Sequence, residues 1–530
     1  MSRRGSLLVG TGILLSRVFG LVRQTLLAHY LGQKDVADAW NAALRIPNFL
    51  QNLLGEGALS ASFIPSYSRL LGNEEEDEAR RLAGAVLSVL VVAVAVIVLL
   101  GELATPWLMA IIVSNDWSPE KRALTETLVR ILFPGAGIMV LSAWCLGVLN
   151  SHGKFLLSYA SPVVWNVAII VTILFFARHE APERFVIIAA YGAVAGSVLQ
   201  VLAQLPAVLA VGGRITPTMW HGARDLGRVV TAFVPNIVSR GANQISAFVD
   251  LFIASSIPIG GAVAAISNAQ VLYTLPVSLF GMAVSAAELP EMSRERGDAA
   301  TVATALRVRL TAATQRLAYY IVPSALGFLT LGGVIAAAVF QTKGGRFQAA
   351  DSEFVWIVLA GSATGLLAST LGRLYASTFY ALNDTRTPLQ WGVVRVILTG
   401  VLGWLAAIVL PPVLGLDPKW GAAGLTATAG IAGWVEFAML RRSLCRRIGH
   451  FSLDGREIAK LWIAGLAAAV IGTGIRLAAG PHLPPIPLAL LAVPANAITY
   501  LVITSWWDIP EAAVLTVRIR RVLNGGAPAP

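Results

Sequence analysis

The chain has 530 residues, of which 56% are apolar and only 13% charged, and its mean hydropathy is +0.71. Soluble proteins carry about 25% charged residues, so a soluble enzyme, a disordered tail protein and a secreted disulfide scaffold are excluded, and a polytopic membrane protein is indicated. The net charge of +11 is spread over loops and is not interleaved with aromatics in a soluble segment, so it reads as surface facing anionic lipid and not as a nucleic-acid site.

A spanning helix needs roughly 20 mainly apolar residues. The first two candidates, 6–31 and 36–64, carry Arg17, Arg23, Asp38, Arg45 and Glu56 within otherwise apolar sequence. Arg3 and Arg4 precede the first, but Arg17 and Arg23 interrupt it and no small-residue cleavage site follows, so it is expected to stay in the membrane. Charge-free runs then follow at 82–101, 131–153, 155–177 and 185–213. The run 251–287, broken by Pro258, Gly260 and Gly261, suits the ends of two spans. Further runs lie at 317–342, 354–372, 396–416, 421–435, 461–475 and 477–507, the last reading as a loop and one helix. The expectation is an all-α polytopic membrane protein of about fourteen helices. Cys145 and Cys445 have no His or Cys at metal-ligand spacing and read as unpaired thiols.

With the N-terminus inside, alternation places 23 Lys and Arg on the cytoplasmic side and 9 on the other, which agrees with the positive-inside rule and puts both termini in the cytoplasm. An internal repeat supports the count. Residues 58–69 (ALSASFIPSYSR) and 283–294 (AVSAAELPEMSR) match at six of twelve positions at an offset of 225. Ser16-Arg17 has a counterpart in Ser239-Arg240, and Leu149-Asn150 in Leu382-Asn383. Helices 1–6 (residues 1–215) and 7–12 (216–450) therefore read as two parallel copies, a transporter architecture, with helices 13–14 and a cytoplasmic tail in 451–530.

Buried charges are the candidate functional residues, because an Arg inside a bilayer normally faces a wet cavity or a partner. Arg130, Arg316 and Arg395 lie near predicted helix ends and read as snorkelling. Arg17 and Arg23 lie deeper; six residues turn a helix about 600°, so they align only if the helix bends, for which Gly20 is placed. Arg45 precedes Pro47, Gly55 and Gly57, an interruption typical of a transport site or moving element. The competing reading pairs Arg45 or Arg23 with Asp38 or Glu56 to hold the bundle. The seventh span supplies Arg240, Gln244 and Asp250, and Gln270 occupies the repeat position of Arg45. Several arginines around one cavity suit an anion with phosphate oxygens. No phosphate-binding loop supplies a nucleotide, so transport is driven by a gradient or the membrane potential.

The segments SRVFGLVRQ (16–24), DAWNAALRIPNFLQNLLGEGALSASFIP (38–65), RILFPGAGIMVLSAWCLGVLN (130–150) and FYALNDTRTP (379–388) together resemble the MurJ (MviN) family of bacterial lipid II flippases, within the superfamily that also holds MATE drug exporters and polysaccharide flippases. The resemblance spans about residues 6–450. It implies two six-helix lobes related by an axis along the membrane normal, two added C-terminal helices, alternating access through a cationic cavity, and a bacterial inner-membrane location. It implies as cargo an undecaprenyl-diphosphate-linked disaccharide pentapeptide, with membrane lipids and the cell-wall synthesis machinery as further partners. Arg17 and Arg23 match the family's helix-1 arginines, and Arg45, Asn48 and Glu56 match family positions. Gln24 stands where an acid is usual, and Gln51 and Gln270 stand where the family has arginines, while Arg240 adds a charge where the family is apolar. Asp38 and Asp250 are the gating or ion-coupling candidates; Asp250 resembles an acid of a sodium site whose other ligands have no match here.

The leading expectation is thus a lipid II flippase with no cofactor, a sodium ion or proton being the candidate coupling ion. A flippase for another polyprenyl-diphosphate glycan, a cation-coupled MATE-like exporter resting on Asp250, and a non-transporting scaffold are the alternatives. A membrane enzyme is disfavoured, since no paired acids or nucleophile–base spacing occurs within the spans and His29, His152 and His221 sit at loop edges.

Overall fold

The computed structural model describes residues 3–213, 215, 223–282, 284, 288, 292, 298–382, 384–451 and 455–523, with the side chains of 3–9, 56–58, 61, 234–243, 282, 299 and 518–523 outside the description. Among these residues the structure is helical, with no strand. The helices are α1 (Arg3–Leu31), α2 (Asp35–Leu54), α3 (Glu56–Gly72), α4 (Glu76–Ile112), α5 (Pro119–Ser151), α6 (Phe155–Ala160), α7 (Pro162–Phe176), α8 (Pro182–Gly212), α9 (Leu226–Ser255) and α10 (Ala262–Pro276). There follow α11 (Ala299–Phe340), α12 (Ala349–Ala363), α13 (Leu366–Ala381), α14 (Arg386–Trp404), α15 (Leu410–Val413), α16 (Lys419–Ile448), α17 (Gly455–Ala479), α18 (Pro485–Trp506) and α19 (Pro510–Leu523). The last is helix where the sequence reading placed only a tail.

By length and apolar content, 10 described helices can cross a membrane, or 11 when α12 and α13, bent by 44° at their junction, count as one span. Their outward faces are apolar, as on α4, where Val92, Leu99, Leu103, Trp107 and Ile111 are exposed. Lipid tails are as apolar as Leu, so helices associate through close packing of small residues. On α13 and α16 this is literal: a Cβ on Gly365 would collide with the backbone of Gly430.

The chain divides into two compact units, one of residues 1–264 with 344–347 and one of 265–343 with 348–530. The core of the first unit is built by Leu59, Phe63, Tyr67, Leu82, Val86, Trp144 and Val148 from α3, α4 and α5.

One expectation is revised and two gain detail. α1 runs as one continuous helix through Gly20. The second span breaks at Gly55 and not at Pro47, which lies inside α2. A Cβ on Gly55 would collide with the Gln51 carbonyl oxygen, so the break needs glycine. The eighth span carries its own irregularity, a π-helical turn at Val277–Met282 directly after α10. At the repeat offset of 225 that turn covers position 55, so both copies interrupt their second helix at one register. Most of the repeat segment 283–294 lies outside the described residues, as does Asn383. Finally, the arginines read as snorkelling each lie near an acid: Arg130 pairs with Glu126 at 2.7 Å, Arg316 lies 3.8 Å from Glu288, and Arg395 lies 3.1 Å from Glu436.

Candidate functional site

In the first unit, α1 presents Arg17 as an exposed side chain and Arg23 as a half-buried one. The Arg23 guanidinium donates from Nη1 to Asn166 Oδ1 at 3.0 Å and lies 4.8 Å over the ring of Trp165. Both partners are themselves fixed on α7: Asn166 donates to the Pro162 carbonyl at 3.0 Å, and the Trp165 indole donates to the Ala193 carbonyl at 3.0 Å. No acid neutralises Arg23 among the described residues, and its Nε is buried without an acceptor. A guanidinium has five N–H donors in a planar fork. Asn166 and the indole hold the fork in place and leave it charged, with donors still to satisfy. That is the preorganisation an oxyanion site requires.

Arg45, Asn48 and Gln51 are half-buried on α2. Asn41, Arg45, Asn48 and Asn52 recur at helical spacing, so α2 carries a polar stripe through otherwise apolar sequence. Phe49 packs on Phe248 of α9 with ring centroids 5.1 Å apart, and the carboxylate of Asp250 is the charge that acts on Arg45. Asp250 is thus an acid in the neighbourhood of Arg45, whereas Asp38 is bound elsewhere. Gln244 is half-buried on α9. Glu56 opens α3 and Arg240 lies on α9 by their backbones, while their side chains lie outside the described residues.

Asp38 belongs to a separate arrangement. Its carboxylate is buried, at 1% exposure, and accepts Lys121 Nζ at 2.7 Å and the backbone N–H groups of Gly261 and Ala264, each at 2.8 Å. Lys121 also donates to Asp35 at 2.8 Å and stands 4.0 Å over the Trp117 ring. Trp117 in turn donates to the Ser255 carbonyl at 2.8 Å. This knot ties the start of α2 and the first turn of α5 to the Gly261–Ala264 turn. Gly261 is needed there: its φ is +90°, and a Cβ would collide with the Gln33 carbonyl oxygen.

In the second unit Gln270 is exposed on α10, its amide 3.4 Å from Thr274 Oγ1. Three helices of that unit carry charges well inside their length: Arg373 on α13, Arg395 on α14 and Glu436 on α16. Among the described residues no group of three or more His, Cys, Asp or Glu is placed to hold a metal ion.

Sequence reading missed Asn166 and Trp165, whose signal was an amide beside an indole inside the apolar run 155–177. Lys121, which lies outside the charge-free runs, is buried in the structure.

A sequence profile described as "Lipid II flippase MurJ" matches residues 27–481. The chain belongs to the MurJ family. It is 31% identical over 455 residues to the "Lipid II flippase MurJ" of Burkholderia cenocepacia, covering 84% of each chain. It is 29% identical over 475 residues to the "Probable lipid II flippase MurJ" of Rhizobium meliloti, covering 89% of this chain and 85% of that one. The fold matches the solved structure "Lipid II flippase MurJ, inward closed conformation" with a TM-score of 0.75 at 21% identity, over 94% of this chain and 98% of that one. It also matches an inward-facing MATE multidrug transporter of the MOP superfamily, with a TM-score of 0.61 at 16% identity, over 81% and 96%. The MurJ fold is thus shared with exporters whose cargo differs, and cargo is decided by the site.

Proposed function

We propose that this MurJ-family chain is a lipid II flippase, a transporter and not an enzyme, which moves the diphosphate-linked peptidoglycan precursor from the inner to the outer leaflet of the bacterial cytoplasmic membrane. The observation that carries the reading is family membership over residues 27–481. The site assignment rests on Arg23, a fixed guanidinium with an unsatisfied donor inside an apolar fold.

In this reading α1, the broken α2–α3 pair and α9 join the apolar spans to give fourteen helices. Lobes of residues 1–215 and 216–450 alternate access, helices 13–14 in 451–530 serve the lipid tail, and both termini are cytoplasmic. The diphosphate is received by Arg17 and Arg23, with Arg240 as a third cation and Asn48, Gln51, Glu56, Gln244 and Gln270 as polar lining. Binding places anionic oxygens against guanidinium groups and lowers the cost of closing the site away from water. The Arg45–Asp250 association is the element that the arriving charge competes for. The membrane potential or a counter-ion resets the cycle. Asp38 acts as a fastening at one end of the α2 helix and not as a substrate ligand. The cell-wall synthesis machinery is the expected consumer of the flipped lipid.

The neutral Gln51 and Gln270, where family arginines stand, favour a second reading: another polyprenyl-diphosphate glycan as cargo. Complementation of a strain depleted of its own lipid II flippase separates the two. Rescue by wild type, lost in Arg17→Ala and Arg23→Ala variants that insert normally, supports lipid II and the site. Failure of a well-expressed wild type moves the cargo to another glycan, and rescue by both variants overturns the site.

A further inference from the structure

The second unit carries a membrane-embedded polar surface of which the site above uses only Gln270. On α13 the side chains turned away from the core are Ser369, Arg373, Ser377 and Tyr380, at i, i+4, i+8 and i+11. The opposite face, with Leu366, Leu367, Leu371, Leu374, Tyr375 and Phe379, is buried. A lipid-facing stripe would be Leu or Val; a stripe of two serines, an arginine and a tyrosine would leave its polar groups unsatisfied in hydrocarbon. Neighbouring α10 has the same character, with Ser267, Gln270 and Thr274 off its core. The two faces are joined by the hydrogen bond between Tyr273 Oη and Ser369 Oγ at 2.7 Å.

Arg373 lies seven residues into α13, about 10 Å along the helix from its start. It has no carboxylate within ion-pair distance among the described residues, and the acid of this region, Glu436, is committed to Arg395 at 3.1 Å. The tyrosine hydroxyl of Tyr273 lies within electrostatic range of both Arg373 and Arg395. Arg373 is itself exposed, so its charge lies on the polar surface and not in the core. A guanidinium in that setting, flanked by hydroxyls and an amide, is a receptor for an oxyanion.

We infer that Arg373 is a specificity-determining residue of the second unit, which binds an anionic oxygen of the translocated headgroup, with Gln270, Thr274 and Ser369 supplying neutral hydrogen bonds beside it. This rests on the flippase reading. It also gives the neutral Gln270 a role: the cation of this unit is carried by α13. The oxyanion has two sources in the cargo, the diphosphate and the peptide carboxylates.

The test is equilibrium binding to the full chain in nanodiscs, with undecaprenyl diphosphate and lipid II as separate probes. The proteins compared are wild type, Arg373→Ala and Arg373→Lys, each checked for an unchanged melting curve. Losing a charge-assisted contact is expected to weaken binding about tenfold or more in Arg373→Ala, with most of the affinity kept in Arg373→Lys. Equal losses for both probes assign the diphosphate, and loss for lipid II alone assigns the carboxylates. Unchanged affinity for both probes in Arg373→Ala overturns the inference. A wild type that binds neither probe overturns the flippase reading itself. If Arg373→Ala melts early, the Arg373→Gln variant replaces it, and its unchanged affinity overturns the inference equally.

Discussion

Lys121 holds two acids in different surroundings, which makes the knot at the head of α2 a controlled experiment. Lys121 is 7% exposed at its side chain and Asp38 is 2%, while Asp35 on the same lysine is 66% exposed. Replacing Lys121 with Met strands the Asp38 carboxylate. Breaking a buried pair costs about 3–5 kcal/mol, and because two backbone N–H groups still bind Asp38, the lower end, about 3 kcal/mol, is expected. Asp35→Asn removes only an exposed partner, worth about 0–1 kcal/mol. The double variant Asp38→Asn/Lys121→Met removes both charges, so it should cost less than the sum of the single changes by about 2 kcal/mol. Unfolding of the purified protein in detergent, followed by tryptophan fluorescence, measures these three variants and the single Asp38→Asn. The reasoning fails if Asp35→Asn costs as much as Asp38→Asn, or if the Asp38 and Lys121 effects simply add.

Four further outcomes follow from the same geometry. Asn166→Leu frees the Arg23 fork without removing its charge, and is expected to lower cargo binding about tenfold, read in the same nanodisc assay; unchanged affinity would show that Arg23 is not held for binding. Gly261→Ala places a side chain at φ +90° against the Gln33 carbonyl, and should destabilise by at least about 1–3 kcal/mol, visible as an early melt. Gly55→Ala forces the α2–α3 break to shift, so complementation should drop more than expression does. Asp384, in the loop before α14, accepts the backbone N–H groups of Arg386 and Thr387, the Thr387 hydroxyl and the Arg447 guanidinium. Led by the Thr387 backbone bond, these contacts hold its pKa below the usual carboxylate range. Its stabilisation is therefore full above the unfolded value of about 4 and is lost as pH falls through the lower folded value. The melting gap between wild type and Asp384→Asn should persist at neutral pH and close in acid; a gap constant across that range would refute the assignment.

The uncharged runs located most spans because a bilayer forbids unpaired charge along most of a helix. The same criterion hid the second unit's polar surface. Runs were ended at Arg373, Arg395 and Glu436, but α13, α14 and α16 continue through those residues. An ion pair between helices, such as Arg395–Glu436, removes the penalty that the run criterion assumes. The burial of Lys121 was hidden in the same way, because its two acids are 83 and 86 positions away.

Composition and periodicity by themselves determined that this chain is a helical membrane protein, because the hydrophobic effect and backbone hydrogen bonding act on local sequence. The arginines of α1 were legible as candidates, since an isolated charge in an apolar helix needs a reason wherever it ends up. Only the tertiary structure decided which charges are neutralised. It gave Asp38 to Lys121, set Asp250 near Arg45, and left Arg23 on an amide and an indole. Those choices depend on which helices pack together over separations of more than a hundred residues, as with Arg23 and Asn166, 143 apart, and no local pattern encodes them.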